Sequence, residues 1–322
     1  MNNSFFKTSL LLIWFSCLNL NAFSDENDIL KYGLDDYGNL MVVGVVDLQY
    51  SGKIEVPYSV KGEITGKTYY PRIIYKYAFH ACHMSEITLR YVEKIGDYAF
   101  EFCPYLKKVS IGKSCKKIGE GVLGGTNEVT VNIDIENIYY DSRNGCNAII
   151  ETSTNKLIAG SRKTIIPEGI ECLATHSFSN LFFLDSISIP KSVKEIEERA
   201  FINNFELRKV YVAATEPPTI YQDSFYNWHD SFSDNYKSPY ENATLYVPKG
   251  CVEKYRNHHI WGQFKKIEEY DSTTSIHKTV INKNDDDRYF DMSGHTHETP
   301  IRGLNILKKK DGTTKKIIIK QR

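Results

Sequence analysis

Residues 189–212 read Ile-Pro-Lys-Ser-Val-Lys-Glu-Ile-Glu-Glu-Arg-Ala-Phe-Ile-Asn-Asn-Phe-Glu-Leu-Arg-Lys-Val-Tyr-Val, and this stretch decides the fold. A hydrophobic residue, Ile196, is followed four and five residues later by the pair Ala200-Phe201. The stretch ends in the run 207–212, whose apolar residues are spaced as L-x-x-V-x-V. The alternation at its end predicts a short strand with one buried face.

The same order of residues recurs along the middle of the chain. A unit beginning at Ile95 matches it, a unit at Leu173 has the small residue Ser177 in place of alanine, and a unit at Ile74 lacks one residue. A unit at Ile118 has aliphatic residues in place of the Ala-Phe pair, so we expect a distorted coil there, and a sixth, decaying unit is expected around Phe225. Neighbouring units start 21 or 23 residues apart, within the roughly 20–29 residues of leucine-rich repeats. Because one unit cannot bury its own hydrophobic residues, the sequence predicts a leucine-rich repeat solenoid of short strands and irregular or helical turns.

These units resemble the BspA-like class of leucine-rich repeat surface proteins found in the Bacteroidales, in which Ile-Pro-x-x-Val-x-x-Ile-x-x-x-Ala-Phe recurs. The resemblance is carried by residues 166–173 and 189–196. The stretch 140–160 is similar to the hairpin-type insert of such proteins, and 217–264 is similar to the segment that closes their arrays. The resemblance covers about residues 30–270, and it implies a bacterial surface protein associated with adhesion.

The first 24 residues have the pattern of a signal peptide. Lys7 lies in a short polar start, and residues 10–20 form an apolar stretch too short to span a bilayer. Small residues at Ala22 and Ser24 predict cleavage near Ser24 and therefore export. Lipid attachment at Cys17 is the competing interpretation, disfavoured by the bulky residues before it. No other apolar run could cross a membrane, so we expect no transmembrane segment in the mature chain.

The rest of the chain divides into a cap, a repeat domain and a small terminal domain. Alternating apolar and polar residues between Gly and Asp turns predict a β-rich N-terminal cap. Three predicted strands near the C-terminus form a small β-domain that resembles domains of surface proteins, some of which act as sorting signals. The predicted ranges are signal peptide 1–24, cap 25–72, repeat domain 73–270 with an insert at 132–162 and a closing segment at 213–270, linker 271–287, and C-terminal β-domain 288–322.

Composition and charge exclude several classes of protein. The chain has 322 residues, of which 41% are hydrophobic and 25% charged, the balance of a globular protein. Its 40 basic residues are matched by 40 acidic ones, so no overall charge favours nucleic acid as a partner. Tyrosine contributes 22 residues, and its apolar body with a polar tip favours surface recognition.

The sequence contains no constellation typical of catalysis. None of the motifs G-x-S-x-G, H-E-x-x-H, Walker A or G-x-G-x-x-G is present, so we predict that the protein is not an enzyme and uses no cofactor. His80, Cys82 and His83 are close enough for half a zinc site, but Cys82 shares its repeat position with Cys103, which predicts a core residue instead of a metal ligand. Six cysteines follow Cys17, and the sequence leaves open whether they form disulfides.

The repeat pattern predicts a function in binding. Strand residues between buried positions point outward, and stacked coils are expected to join them into one continuous ladder. Because repeat arrays commonly use such surfaces for recognition, we predict an exported or cell-surface module that binds a protein or glycan; the alternative is a structural envelope component without a host ligand. The predicted binding residues are Glu86, Thr88, Lys108, Ser110, Ser186, Ser188, Lys209 and Tyr211.

Overall fold

The structure is a computed structural model that describes residues 23–24, 29–227 and 238–271, together with four strands within 288–319. The chain divides into two compact units, Met1–Asp271 and Ser272–Arg322. Most of the predicted signal peptide and of the predicted linker lies outside the described residues. Among the residues that are described, no helix has the length and hydropathy of a membrane span.

Six short strands precede the repeats: β1 (Phe23–Ser24), β2 (Leu30–Leu34), β3 (Leu40–Val45), β4 (Lys53–Glu55), β5 (Val60–Gly62) and β6 (Thr68–Tyr69). Strands β2 and β3 form an antiparallel hairpin, and β5 pairs with both β1 and β6. Their apolar residues, such as Val42 and Ile54, are buried in the same core as the first coils. This segment therefore covers the apolar end of the first coil, which is the role expected of a cap.

Three coils follow, each built from a short and a longer strand: β7 (Ile73–Ile74), β8 (Glu86–Leu89), β9 (Lys94–Ile95), β10 (Lys108–Ile111), β11 (Lys117–Ile118) and β12 (Thr130–Ile133). The short strands extend the cap hairpin in the order β11-β9-β7-β3-β2, and the longer strands form a second sheet in the order β12-β10-β8-β4. Repeat strands pair in parallel, as identical coils must when they stack.

The insert forms a hairpin that joins the next set of coils. It contains β13 (Tyr140–Asp141), a 3₁₀ turn at Arg143–Gly145, β14 (Ile149–Glu151) and β15 (Lys156–Ala159). These strands pair antiparallel, and β15 then lies parallel to the first strand of the following coil. The hairpin predicted for this stretch is therefore present.

The second set of coils contains β16 (Cys172–Leu173), β17 (Ser186–Ile189), β18 (Glu195–Ile196), β19 (Lys209–Val212) and β20 (Thr219–Ile220). The closing segment adds α1 (Pro239–Asn242), β21 (Thr244–Pro248), α2 (Val252–Arg256), a 3₁₀ turn at Trp261–Gln263 and β22 (Lys266–Tyr270). The two sheets have the orders β13-β14-β15-β16-β18-β20 and β17-β19-β21-β22. Fully buried Trp261 donates from Nε1 to the Pro218 carbonyl at 2.9 Å, which ties the closing segment to the last coil.

The C-terminal unit contains β23 (Arg288–Phe290), β24 (Thr296–His297), β25 (Gly303–Lys308) and β26 (Thr314–Ile319). They form an antiparallel sheet in the order β24-β23-β25-β26. Three strands were expected and four are found. The additional strand, β24, spans only two residues of a polar stretch, which offers no hydrophobic alternation to indicate it.

Each Ala-Phe pair lies in a turn flanked by two residues with left-handed backbone. In the second coil these are Tyr98 and Phe102, both with φ of 55°. Three N–H groups of this turn, from Tyr98, Phe100 and Phe102, donate to carbonyls of the next coil at 2.8–3.0 Å. The same two positions have positive φ in four other coils, at Tyr77, Ala81, Gly121, Gly125, His176, Asn180, Arg199 and Asn203.

The coil that lacks Ala-Phe keeps this turn, so the expected distortion is not found. Its left-handed positions are glycines, Gly121 and Gly125, with φ of 58° and 70°. A Cβ atom on Gly125 would lie 2.3 Å from the ring of Phe102, and one on Gly121 would lie 2.3 Å from the ring of Tyr98. The glycines therefore leave room for two rings of the preceding coil, and Leu123 fills the core in place of phenylalanine.

In three coils, the side chain three residues after the buried phenylalanine, or after Leu123 in its place, forms a hydrogen bond to the previous coil. Cys103 Sγ donates to the Phe79 carbonyl at 3.0 Å, Thr126 Oγ1 to that of Phe100 at 2.7 Å, and Asn204 Nδ2 to that of Phe178 at 2.8 Å. The core position predicted for Cys103 is confirmed, but its thiol also donates a hydrogen bond. All six cysteines among the described residues are free, and half-buried Cys172 lies beside Glu195 in the strand register.

The buried phenylalanine rings of the repeat form two stacks, which belong to two hydrophobic cores. Phe79 stacks on Phe100 with centroids 5.5 Å apart. Phe201 stacks on Phe178 at 5.2 Å and on Phe225 at 4.7 Å. The first core contains the cap and the first three coils, and the second contains the later coils and the closing segment.

Substitution of Phe201 by Ala is expected to lower the free energy of unfolding by about 3–5 kcal/mol, because it removes a buried ring and leaves a cavity. Phe182→Ala is the control: its ring is half-buried, although it stacks between Phe102 and Phe205 at 6.0 Å on each side. Its loss is expected to cost clearly less. Denaturant unfolding followed by circular dichroism measures both, and equal losses would contradict this assignment of the core.

Gly125→Ala tests the requirement for glycine in the third coil. Its matched control is Gly66→Ala, since Gly66 has a similar φ of 64° but no atom within 4 Å of the added Cβ. The control is expected to cost about 1–2 kcal/mol through backbone strain alone. Gly125→Ala should cost more, because the Phe102 ring must also move. The same unfolding measurement applies, and a smaller loss at Gly125 than at Gly66 would contradict the role of the ring contact.

Candidate functional site

The eight predicted binding residues occupy outward positions on four long strands. In β8, β10, β17 and β19 the second and fourth residues are buried, while the first and third are exposed or half-buried. The pairing is in register, so that Lys108 lies beside Glu86, and Tyr211 beside Ser188. These outward residues therefore align in rows across neighbouring strands within each sheet.

The ladder is divided between two sheets, so the prediction of one continuous ladder is wrong. Strands β8 and β10 lie in the sheet that ends at β12, whereas β17 and β19 lie in the sheet that begins at β17. The insert explains the interruption through Asn147. Its Oδ1 accepts from the Val131 N–H at 2.8 Å, and its Nδ2 donates to the Val129 carbonyl at 2.9 Å. One side chain thus satisfies backbone groups that a neighbouring strand would otherwise bind, and it blocks that edge.

The N-terminal part of the ladder is polar and its charges are partly paired. Lys53 of the cap lies beside Glu86, with Nζ 2.9 Å from Oε1. Lys108 is on the other side of Glu86 in the register. The remaining outward residues, Thr88 and Ser110, are small. This face offers hydrogen-bonding groups but no aromatic side chain.

The C-terminal part of the ladder carries an aromatic cluster. Tyr211 stacks on Tyr246, its register neighbour in β21, with centroids 4.6 Å apart, and Tyr270 packs edge-on against Tyr211 at 5.7 Å. Burial raises the pKa of Tyr270 to about 12, so its hydroxyl stays protonated at neutral pH. Lys209 and Lys266 lie in the neighbouring row, separated by Thr244. We call this surface the tyrosine face, defined by Tyr211, Tyr246, Tyr270, Lys209 and Lys266.

The charges of the tyrosine face are available to a ligand. Neither Lys209 nor Lys266 has a carboxylate within 4 Å among the described residues. Sequence reasoning found Lys209 and Tyr211 but missed the other three residues, because they belong to the closing segment. A signal was present: residues 244–247, Thr-Leu-Tyr-Val, repeat the polar-apolar-Tyr-Val pattern of 209–212.

A separate group of polar residues lies on the Ala-Phe turns, where the two sets of coils meet. Half-exposed His80 places Nδ1 3.3 Å from Oε2 of Glu101, and Asn180 Nδ2 donates to Oε1 of Glu101 at 3.2 Å. Tyr98 donates to Glu120 at 2.9 Å, and its hydroxyl is 3.2 Å from Nδ1 of His176. Two of these contacts, Tyr98–His176 and Glu101–Asn180, join residues 78 and 79 positions apart in sequence, and they hold the coils together across the insert.

The described residues contain no group of three or more His, Cys, Asp or Glu side chains placed to hold a metal ion. The candidate zinc ligands of the sequence have different surroundings. Cys82 is buried in the core, His80 faces Glu101, and the ring of His83 packs edge-on against Tyr105 at 4.9 Å.

Comparison with protein families identifies the class of repeat. A family model described as BspA type leucine rich repeat region matches in six copies, over residues 72–161 and 150–271. The matched region is more than half of the chain. The chain therefore belongs to the BspA-type leucine-rich repeat family, as the sequence predicted.

Several solved structures are similar to the chain. A leucine rich cell surface protein from Faecalibacterium prausnitzii is 15% identical, with 78% of this chain and 96% of that chain covered and a TM-score of 0.29. A leucine rich repeat protein from T. pallidum is 14% identical, with 73% and 96% covered and a TM-score of 0.36. One from Bacteroides ovatus is 15% identical, with 75% and 66% covered and a TM-score of 0.36. A comparison with curated proteins gives no match.

The histidine at the junction is expected to make stability depend on pH. Burial lowers the pKa of His176 below 6.5, and the charge of Arg199 acts in the same direction, against that of Glu120. As pH falls below 6.5, the unfolded chain takes up a proton that the folded chain does not, so stability decreases. His176→Asn, which suits the left-handed backbone, should reduce the decrease in melting temperature between pH 7.5 and 5.5. An unchanged pH dependence would contradict this role.

Proposed function

We propose that this protein is an exported, non-enzymatic binding module of the cell surface, whose ligand is a protein or a glycan. Export is supported by the predicted signal peptide, with cleavage near Ser24 favoured over lipid attachment at Cys17. Membership of the BspA-type family supports a repeat scaffold used for binding. Cleavage after Ser24 would remove β1, whose Phe23 ring packs against Tyr69 at 4.9 Å in the intact chain.

The tyrosine face is the observation that carries this proposal. Stacked tyrosines provide a rigid apolar surface with hydroxyl groups at its edge, a combination enriched at protein interfaces and suited to sugar rings. Lys209 and Lys266 add charge that no carboxylate neutralises among the described residues. Because the C-terminal strand face has this cluster and the N-terminal one does not, we place the energetic centre of binding at Tyr211. Ser186 and Ser188 then lie at its margin, and Glu86, Thr88, Lys108 and Ser110 form a separate polar face.

The test uses the exported chain against arrays of immobilised extracellular matrix proteins and of glycans. For any ligand that binds, Tyr211→Ala and Lys209→Glu are expected to weaken binding by roughly tenfold or more, corresponding to about 1.4 kcal/mol. Their melting temperatures should remain close to that of the unchanged chain, because both side chains point outward. Lys108→Glu is the matched control, since Lys108 occupies the position of Lys209 in another coil.

Equal affinities of all three variants would refute the assignment of binding to the tyrosine face. If the chain bound nothing on either array and still assembled on the bacterial envelope, the structural envelope component would be the better explanation. Loss of binding by Lys108→Glu alone would move the site to the N-terminal strand face.

A further inference from the structure

A second candidate surface lies on the sheet of short strands, away from the strand face. A cleft of about 580 Å³ opens over β3, β7, β9 and β11, next to the β6 strand of the cap. Its walls include Tyr69 and Tyr70 on one side and Lys94, Lys116 and Lys117 on the other, with Arg72 between them in the sequence. None of these residues belongs to the tyrosine face.

The cleft contains a charge arrangement that the fold does not require. Lys94 and Lys117 are direct register neighbours in parallel strands, and both are exposed. Like charges directly opposite each other destabilise a sheet. In the other coils the corresponding row is Cys172, Glu195 and Thr219, so the repeat itself does not demand lysine there.

The neighbouring acidic residues leave these two lysines without a partner. Glu93 is occupied by Lys116, with Nζ 2.8 Å from Oε2. Three carboxylates, those of Asp35, Asp36 and Asp97, line an adjoining cleft of about 390 Å³ that shares Lys94 and Lys117. Even so, no carboxylate lies within 4 Å of either lysine among the described residues.

Arg72 is a third unpaired cation, and aromatic rings hold it in place. Its guanidinium carbon lies 4.8 Å from the centroid of Tyr58, 5.2 Å from Tyr70 and 5.7 Å from Tyr91. One of its N–H groups donates to the Tyr58 carbonyl at 3.1 Å. Such contacts fix the side chain without neutralising its charge, and they leave further N–H groups for a ligand. The rings remain accessible, with Tyr58 56% and Tyr70 48% exposed.

From these observations we infer that the cleft binds an anionic carbohydrate. A sugar ring packs on the exposed face of Tyr70, and its carboxylate or sulfate group accepts hydrogen bonds from Arg72 and ion-pairs with Lys94 and Lys117. The arginine fork suits such planar or branched anions. A neutral glycan would leave three cations unused, and a simple polyanion would make no use of the tyrosines. This inference does not depend on the tyrosine face.

The experiment measures binding of the exported chain to hyaluronan oligosaccharides, which carry carboxylates, and to heparin oligosaccharides, which also carry sulfates. Dextran serves as the neutral sugar and polyglutamate as the anion without sugar. At least one acidic sugar should bind, more weakly as salt increases, while dextran and polyglutamate should bind at least roughly tenfold more weakly.

Three variants test the named residues. The double variant Lys94→Gln with Lys117→Gln, and the single variant Tyr70→Ala, should each weaken binding of the acidic sugar by roughly tenfold. The matched control removes two exposed lysines that belong to neither surface, Lys107→Gln with Lys191→Gln, and should keep the affinity. The third variant, Arg72→Lys, keeps the charge but loses the planar guanidinium group, and it should also bind more weakly. Melting temperatures show whether each variant remains folded.

Three outcomes would overturn the inference. These are equal binding of polyglutamate and the acidic sugars, no binding of either acidic sugar, and equal weakening by the cleft variants and the control. Loss of sugar binding in Tyr211→Ala with full binding in the cleft variants would also overturn it, while it would support the separate proposal for the tyrosine face.

Discussion

Five coils depend on a turn in which two left-handed residues flank a small residue and phenylalanine, or Val122 and Leu123 in the third coil. This geometry directs the phenylalanine into the core and aligns the turn's N–H groups with carbonyls of the next coil, as between Phe100 and Val122 at 3.0 Å. Non-glycine residues pay a conformational cost there, which the ring stacks and the hydrogen bonds between coils offset. The third coil has glycine at both positions, Gly121 and Gly125. Glycine is required there because aromatic rings of the preceding coil occupy the space that a side chain would fill.

Sequence spacing predicted the repeat fold because burial alternates with a fixed period, and that period sets which residues form the core. It could not predict contacts made by residues far apart in sequence. Asn147 is an example: its amide completes the edge of β12 only because the hairpin folds back onto that strand. Likewise, the sequence predicts Cys103 to be a small apolar core residue. In the structure its thiol donates a hydrogen bond to a carbonyl of the previous coil, as the side chains of Thr126 and Asn204 do in their coils.

The candidate surfaces were predictable to different degrees for the same reason. Lys209 and Tyr211 follow from strand alternation, but Tyr246 and Tyr270 join them only when the closing segment adds two more strands to the sheet. The cleft around Arg72 required contacts between the cap and the first coils. A chain with an overall charge of zero can therefore still have local surfaces with unpaired cations. Ion pairing depends on which coils become neighbours and not on composition.

The insert also has a consequence for how the array can change in length. Neither sheet of the first coils is continuous with the sheets of the later ones, and Asn147 satisfies the exposed strand edge from within the insert. A whole coil gained or lost on one side would leave the strand pairing on the other side intact. The junction thus makes the strand pairing of each set independent of the number of coils in the other, while Tyr98–His176 and Glu101–Asn180 still join the two sets through their turns.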